Sequence, residues 1–112
     1  MSHDILIVDD EADIREMIAG ILSDNDYRTK TAATSDQAFD ILRATPPSLA
    51  IVDIWLEGSD MDGMAILRRM KKDFPTTPVV MISGHGTIEM AVEAVKIGAY
   101  DFIEKPFQMD RL

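Results

Sequence analysis

The sequence predicts an α/β domain, a doubly wound five-stranded parallel sheet, and three observations carry that prediction. Short apolar runs, Ile5-Leu6-Ile7-Val8, Leu49-Ala50-Ile51-Val52 and Val79-Val80-Met81-Ile82, have the continuous hydrophobicity of strands covered on both faces. Segments with apolar residues at helical spacing separate them. Each run also ends on a residue suited to chemistry: Asp9-Asp10 after the first, Asp53 after the second, Ser83 after the third. A weaker run, Phe102-Ile103, leads through Glu104 to Lys105-Pro106. Ligands of open parallel sheets bind outside the carboxyl ends of the strands, so three aspartates, a hydroxyl and a lysine are expected at one edge. That set suits a divalent cation and a phosphoryl group.

The elements follow in order. After the first strand, Ile14, Met17, Ile18, Ile21 and Leu22 give an amphipathic helix over about Ala12 to Asp24, closed by a turn at Asn25-Asp26. Tyr27 to Ala32 alternates loosely, as an outer strand does. Thr34-Ser35-Asp36-Gln37 has capping-box form and opens a helix carrying Ala38, Ile41 and Leu42, stopped by Pro46-Pro47. The strand Leu49 to Val52 runs into an irregular segment from Ile54 to Gly63. A helix follows with Ile66, Leu67, Met70 and Phe74 on one face and Arg68, Arg69, Lys71 and Lys72 largely elsewhere. Beyond the strand Val79 to Ile82 lies Gly84-His85-Gly86-Thr87. The next helix is expected to use Ile88, Ala91, Val92 and Val95 as its apolar face and to close at Gly98. A last strand spans about Tyr100 to Ile103. Met109 to Leu112 can only begin a fifth helix, so apolar side chains of the fourth and fifth strands on that face are expected to lack cover.

Composition narrows the function. A chain of 112 residues is one domain, and 46% hydrophobic with 28% charged residues is ordinary for a globular protein. The net charge of -9 argues against direct nucleic-acid contact, which needs clustered Lys and Arg. Without cysteine there is neither a disulfide scaffold nor a thiolate metal site. No apolar stretch reaches membrane-spanning length, and Met1-Ser2-His3-Asp4 has no signal-peptide character, so a cytoplasmic location is expected.

Asp9-Asp10-Glu11 has an ordinary explanation, since acidic residues at a helix start satisfy backbone amides and the dipole. Asp53 at the end of a second buried strand favours the functional one. Carboxylates gathered at one edge repel each other unless a cation lies between them, and hard oxygen ligands suit Mg2+. A carboxylate beside such an ion can act as a nucleophile and form an acyl phosphate. Lys105 is placed to neutralise a phosphoryl oxygen and the Ser83 hydroxyl to bond one, although a loop charge and a turn residue are the plain alternatives. His85 reads more simply as a loop residue than as a ligand. The eight methionines read as gap fillers, and Gly84 to Thr87 lacks the lysine of a nucleotide loop.

Taken together, Val8-Asp9-Asp10-Glu11, Asp53, Asp62-Gly63, Ser83-Gly84 and Lys105-Pro106-Phe107 resemble a response-regulator receiver domain of bacterial two-component systems. The resemblance extends over the whole chain, and the segments Asp53 to Gly63, Ile82 to Gly86 and Tyr100 to Phe107 are most similar to its nitrogen-regulation branch. It implies a flavodoxin-like receiver fold in which Asp53 accepts the phosphoryl group. It further implies that Asp10, Asp53 and the Trp55 backbone carbonyl bind Mg2+, with Asp9 acting through water. Ser83 and Lys105 would hold the phosphoryl group, and Phe102 would be the switch aromatic. Full-length members carry a central AAA+ ATPase and a helix-turn-helix DNA-binding domain, neither of which is among these residues. Two departures stand out: the segment after Asp53 is longer than usual and lacks the usual proline, and Ser83 replaces the commoner threonine.

The function expected is a phosphorylation-dependent switch rather than a turnover enzyme. A sensor histidine kinase would be the partner, a second copy of the chain a candidate one, and neither nucleic acid nor membrane would be touched by this domain. Two rivals come from other classes. A flavodoxin-like cofactor protein would need a Ser/Thr/Gly-rich loop where Asp9-Asp10-Glu11 stands. A phosphohydrolase with an aspartate nucleophile would usually carry a second carboxylate two residues on, at Trp55.

Overall fold

In the structure, a computed structural model, residues 4–56, 62–84 and 88–104 are described. They form five parallel strands and four helices: β1 Asp4–Val8, α1 Ala12–Asp24, β2 Arg28–Ala32, α2 Ser35–Ala44, β3 Leu49–Asp53, α3 Gly63–Asp73, β4 Val79–Ser83, α4 Ile88–Ile97 and β5 Asp101–Glu104. The sheet order is β2-β1-β3-β4-β5, so the chain moves outward from β1 to β2 and then reverses direction across the sheet. Such a reversal leaves a crevice at the carboxyl ends of β1 and β3. Val8 pairs with Val52, which brings the residues after β1 and the end of β3 to that crevice together.

Strand residues alternate between two apolar layers. Leu6, Val8, Ala50, Val52, Val79 and Met81 pack against α2, α3 and α4, with Ala38, Leu42, Ile66, Leu67, Met70 and Ala94 filling that side. Ile5, Ile7, Ile51, Val80, Ile82 and Ile103 face the other way, with Ile18 and Leu22 of α1. The expectation that β4 and β5 would be bare on this second face does not hold, because Val80, Ile82 and Ile103 are all buried.

Helix ends follow local chemistry. The Thr34 hydroxyl accepts the Gln37 N–H, and the Gln37 side chain in turn accepts the Ala33 N–H at 2.8 Å, one residue before the amide a capping box normally takes. Asp62 caps α3 through the Ala65 N–H at 2.9 Å. Gly98, at φ +130°, ends α4 as the Ala99 N–H returns to the Ala94 carbonyl at 2.9 Å. Two helix faces differ from expectation. Val92 and Val95 are 48% and 57% exposed, while Ala94 is buried and Met90 and Ile97 are packed against the core. Met17 of α1 is likewise exposed. Met109 to Leu112, expected to begin a fifth helix, lie outside the described residues.

Candidate functional site

Asp9, Asp10 and Asp53 converge at the crevice, each offering a carboxylate oxygen, and these oxygens all lie within 4.8 Å of one another. Asp9 and Asp53 are buried and Asp10 is half-buried. The sheet explains the meeting. Asp53 ends β3 one residue past Val52, the partner of Val8, and Asp9-Asp10 directly follow Val8.

Each part of this edge is fastened. The Asp9 N–H donates to the Ala32 carbonyl at 3.1 Å, extending the β1–β2 ladder. Asp9 Oδ1 accepts the Glu11 N–H at 2.9 Å, and the Asp9 carbonyl accepts Arg15 Nη1 at 2.7 Å. On the β3 side, the Ile54 N–H donates to the Ile82 carbonyl at 3.0 Å and the Gly63 N–H to the Ile54 carbonyl at 2.8 Å. The Trp55 N–H approaches Asp53 Oδ1 at 3.4 Å, and the Trp55 side chain is 49% exposed. Arg15 was not legible as part of this site. Its one sequence signal is a cation in the first turn of a helix, where the dipole disfavours it.

Ser83 ends β4, is fully buried, and stands one residue beyond Ile82, the partner of Asp53. Phe102 on β5 pairs with Met81 and is half-buried against the layer that includes α4. Lys105, His85 and Phe107 lie outside the described residues.

The donor set fits a hard divalent ion. At a Mg–O distance of about 2.1 Å, octahedral ligands stand about 3 Å apart when adjacent and about 4.2 Å apart when opposite. Carboxylate oxygens within 4.8 Å of one another need only small side-chain adjustments, or one bridging water, to satisfy that geometry.

The sequence profile of the response regulator receiver domain matches residues 5–112. The chain belongs to the response regulator receiver domain family. It is similar to the receiver domain of NtrX, and its relatives include a transcriptional regulatory protein, DctD of Rhizobium meliloti. An NtrX-like response regulator of Rickettsia bellii is 60% identical over 109 residues, 97% of this chain and 23% of that protein. The nitrogen assimilation regulatory protein NtrX of Azorhizobium caulinodans is 57% identical over 112 residues, 100% of this chain and 25% of its own length. The crystal structure of the receiver domain of NtrX from Brucella abortus is 57% identical and superposes with a TM-score of 0.93 over 96% of this chain and 90% of that one. This receiver domain therefore spans about a quarter of the curated relatives it matches. Receivers of this type are phosphorylated by sensor histidine kinases and in general bind Mg2+ through acidic residues. Among the described residues no helix is long and apolar enough to cross a membrane.

Proposed function

We propose that this receiver is a magnesium-dependent switch in which Asp53 accepts a phosphoryl group from the phosphohistidine of a sensor histidine kinase. The observation that carries the reading is the gathering of the Asp9, Asp10 and Asp53 carboxylates within 4.8 Å at the carboxyl edge of the sheet. Asp53 is the nucleophile: one of its oxygens forms a bond to phosphorus as the P–N bond breaks, and the imidazole leaves with the electron pair. Asp10, Asp53 and the Trp55 carbonyl hold Mg2+, with Asp9 supporting it through water. The ion, when bound, offsets the charge that builds on the phosphoryl oxygens.

The chain's other residues act on the product. Lys105 pairs with a phosphoryl oxygen, and the Ser83 hydroxyl donates to another. Movement of Ser83 toward the phosphoryl group leaves space beside β4 into which Phe102 turns. The surface of α4 and β5 then changes, as a shift between two existing states biased by the phosphoryl contacts. Exposed Val92, Val95 and Tyr100 give that surface an apolar character suited to a second copy of the chain.

In this reading the acyl phosphate is a signal and not an intermediate of turnover. Where a phosphohydrolase would usually carry a second carboxylate, this chain has Trp55. In the complete protein the switch would govern a transcription-regulatory output of the nitrogen-regulation type, in the cytoplasm, through domains other than this one. Incubation with acetyl phosphate, with and without Mg2+, tests the reading by intact mass. A stoichiometric gain of one phosphoryl group that needs Mg2+ is expected, and sustained hydrolysis of the donor without an accumulating adduct would contradict it.

A further inference from the structure

Arg15 stands in the first turn of α1, where the positive end of the helix dipole disfavours a cation. Its partner compensates: Nη1 donates to the Asp9 main-chain carbonyl at 2.7 Å. That carbonyl belongs to the planar peptide joining Asp9 to Asp10, so its direction fixes the plane from which Asp10 departs. Asp9 is held at two other points, its N–H on the Ala32 carbonyl at 3.1 Å and its Oδ1 on the Glu11 N–H at 2.9 Å. With the carbonyl fastened as well, the Asp9–Asp10 peptide has little freedom left to rotate.

We infer that Arg15 is a positioning residue for cation binding, aiming the Asp10 carboxylate at Asp53 by holding the Asp9 carbonyl. The inference rests on the reading of Asp10 as a cation ligand. Two effects of the guanidinium oppose each other here, which makes the sign of the outcome informative. As a positive charge near the carboxylates, Arg15 repels an incoming cation, and its removal would tighten binding. As a tie, it keeps Asp10 in place before the ion arrives, and its removal loosens binding. Loss of a group that orients a metal ligand commonly costs 10- to 100-fold in affinity, and a tie acting through one peptide belongs near the lower limit, about tenfold.

The test is a Mg2+ titration of the 112-residue chain as wild type, Arg15→Met and Arg15→Lys, read by calorimetry and by fluorescence of the single tryptophan, Trp55. Arg15→Met keeps much of the apolar stem and removes both charge and donors. It is expected to bind Mg2+ about tenfold more weakly, with Arg15→Lys, which keeps an ammonium donor, recovering most of the loss. Urea unfolding of each variant without Mg2+ supplies the control. Equal or tighter binding by Arg15→Met overturns the inference, and so does a loss no larger than the unfolded fraction explains. If wild type itself binds no Mg2+, the metal reading falls and takes this inference with it. If wild type binds and Arg15→Met is unchanged, only the role of Arg15 falls.

Discussion

Gly63 lies directly against the peptide that follows the candidate phosphoacceptor: a Cβ added there would stand 1.9 Å from the Asp53 carbonyl oxygen and 2.6 Å from the Ile54 Cα. The Gly63 N–H also donates to the Ile54 carbonyl at 2.8 Å, so the start of α3 and the end of β3 are locked backbone to backbone. Since the atoms in the way are main chain, no rotamer change relieves the clash. Gly63→Ala is therefore expected to cost at least about 3 kcal/mol, the upper part of the overpacking range, in chemical unfolding. A variant within about 0.5 kcal/mol of wild type, the range of ordinary surface changes, would show that this loop opens readily.

Asp10 is predicted to be indispensable for the cation. In the proposed site its removal would leave Asp53 and a main-chain carbonyl as direct ligands, too few for an ion that gives up its waters reluctantly. Asp10→Ala should abolish the Mg2+ response of Trp55 fluorescence while leaving the far-ultraviolet circular dichroism intact. Equal affinity in the two proteins would remove Asp10 from the site.

The face of α4 gives a stability test with opposite outcomes at adjacent positions. Ala94 is fully buried against the core, whereas Val95 is 57% exposed. Ala94→Leu should destabilise by about 1–3 kcal/mol through overpacking. Val95→Ser should stay within about 0.5 kcal/mol, as surface changes usually do. Urea midpoints of both variants check this, and the reverse order would restore Val95 to the core.

Much of this architecture is legible in the sequence, for physical reasons that differ by element. The runs Ile5 to Val8, Leu49 to Val52 and Val79 to Ile82 could be read as central strands because burial on both faces removes every polar residue from them. The polar residues that end those runs could then be placed at one edge by topology alone, and Asp9, Asp10 and Asp53 do meet there. The α4 face was misread because apolar residues occur on nearly every side of that helix, which leaves the 3.6-residue period ambiguous. Its polar residues carry the clearer signal. Glu89, Glu93 and Lys96 follow helical spacing, and Val92 falls in the same stripe, so these positions mark the outward face. Neither the close approach of Gly63 to Asp53 nor the bond from Arg15 to Asp9 could be derived from spacing, because both depend on how a loop closes after the strands are in place.

The central claim is that Asp53 is the site of phosphorylation, since it alone ends the strand facing the acidic pair at the crevice. The most direct measurement is intact mass after treatment with acetyl phosphate and Mg2+, made on wild type and on Asp53→Asn, a change that keeps size and removes the nucleophilic carboxylate. Wild type is predicted to gain the mass of one phosphoryl group and Asp53→Asn to gain none. An undiminished gain in Asp53→Asn would contradict the account, because it would place the phosphoryl group on another residue.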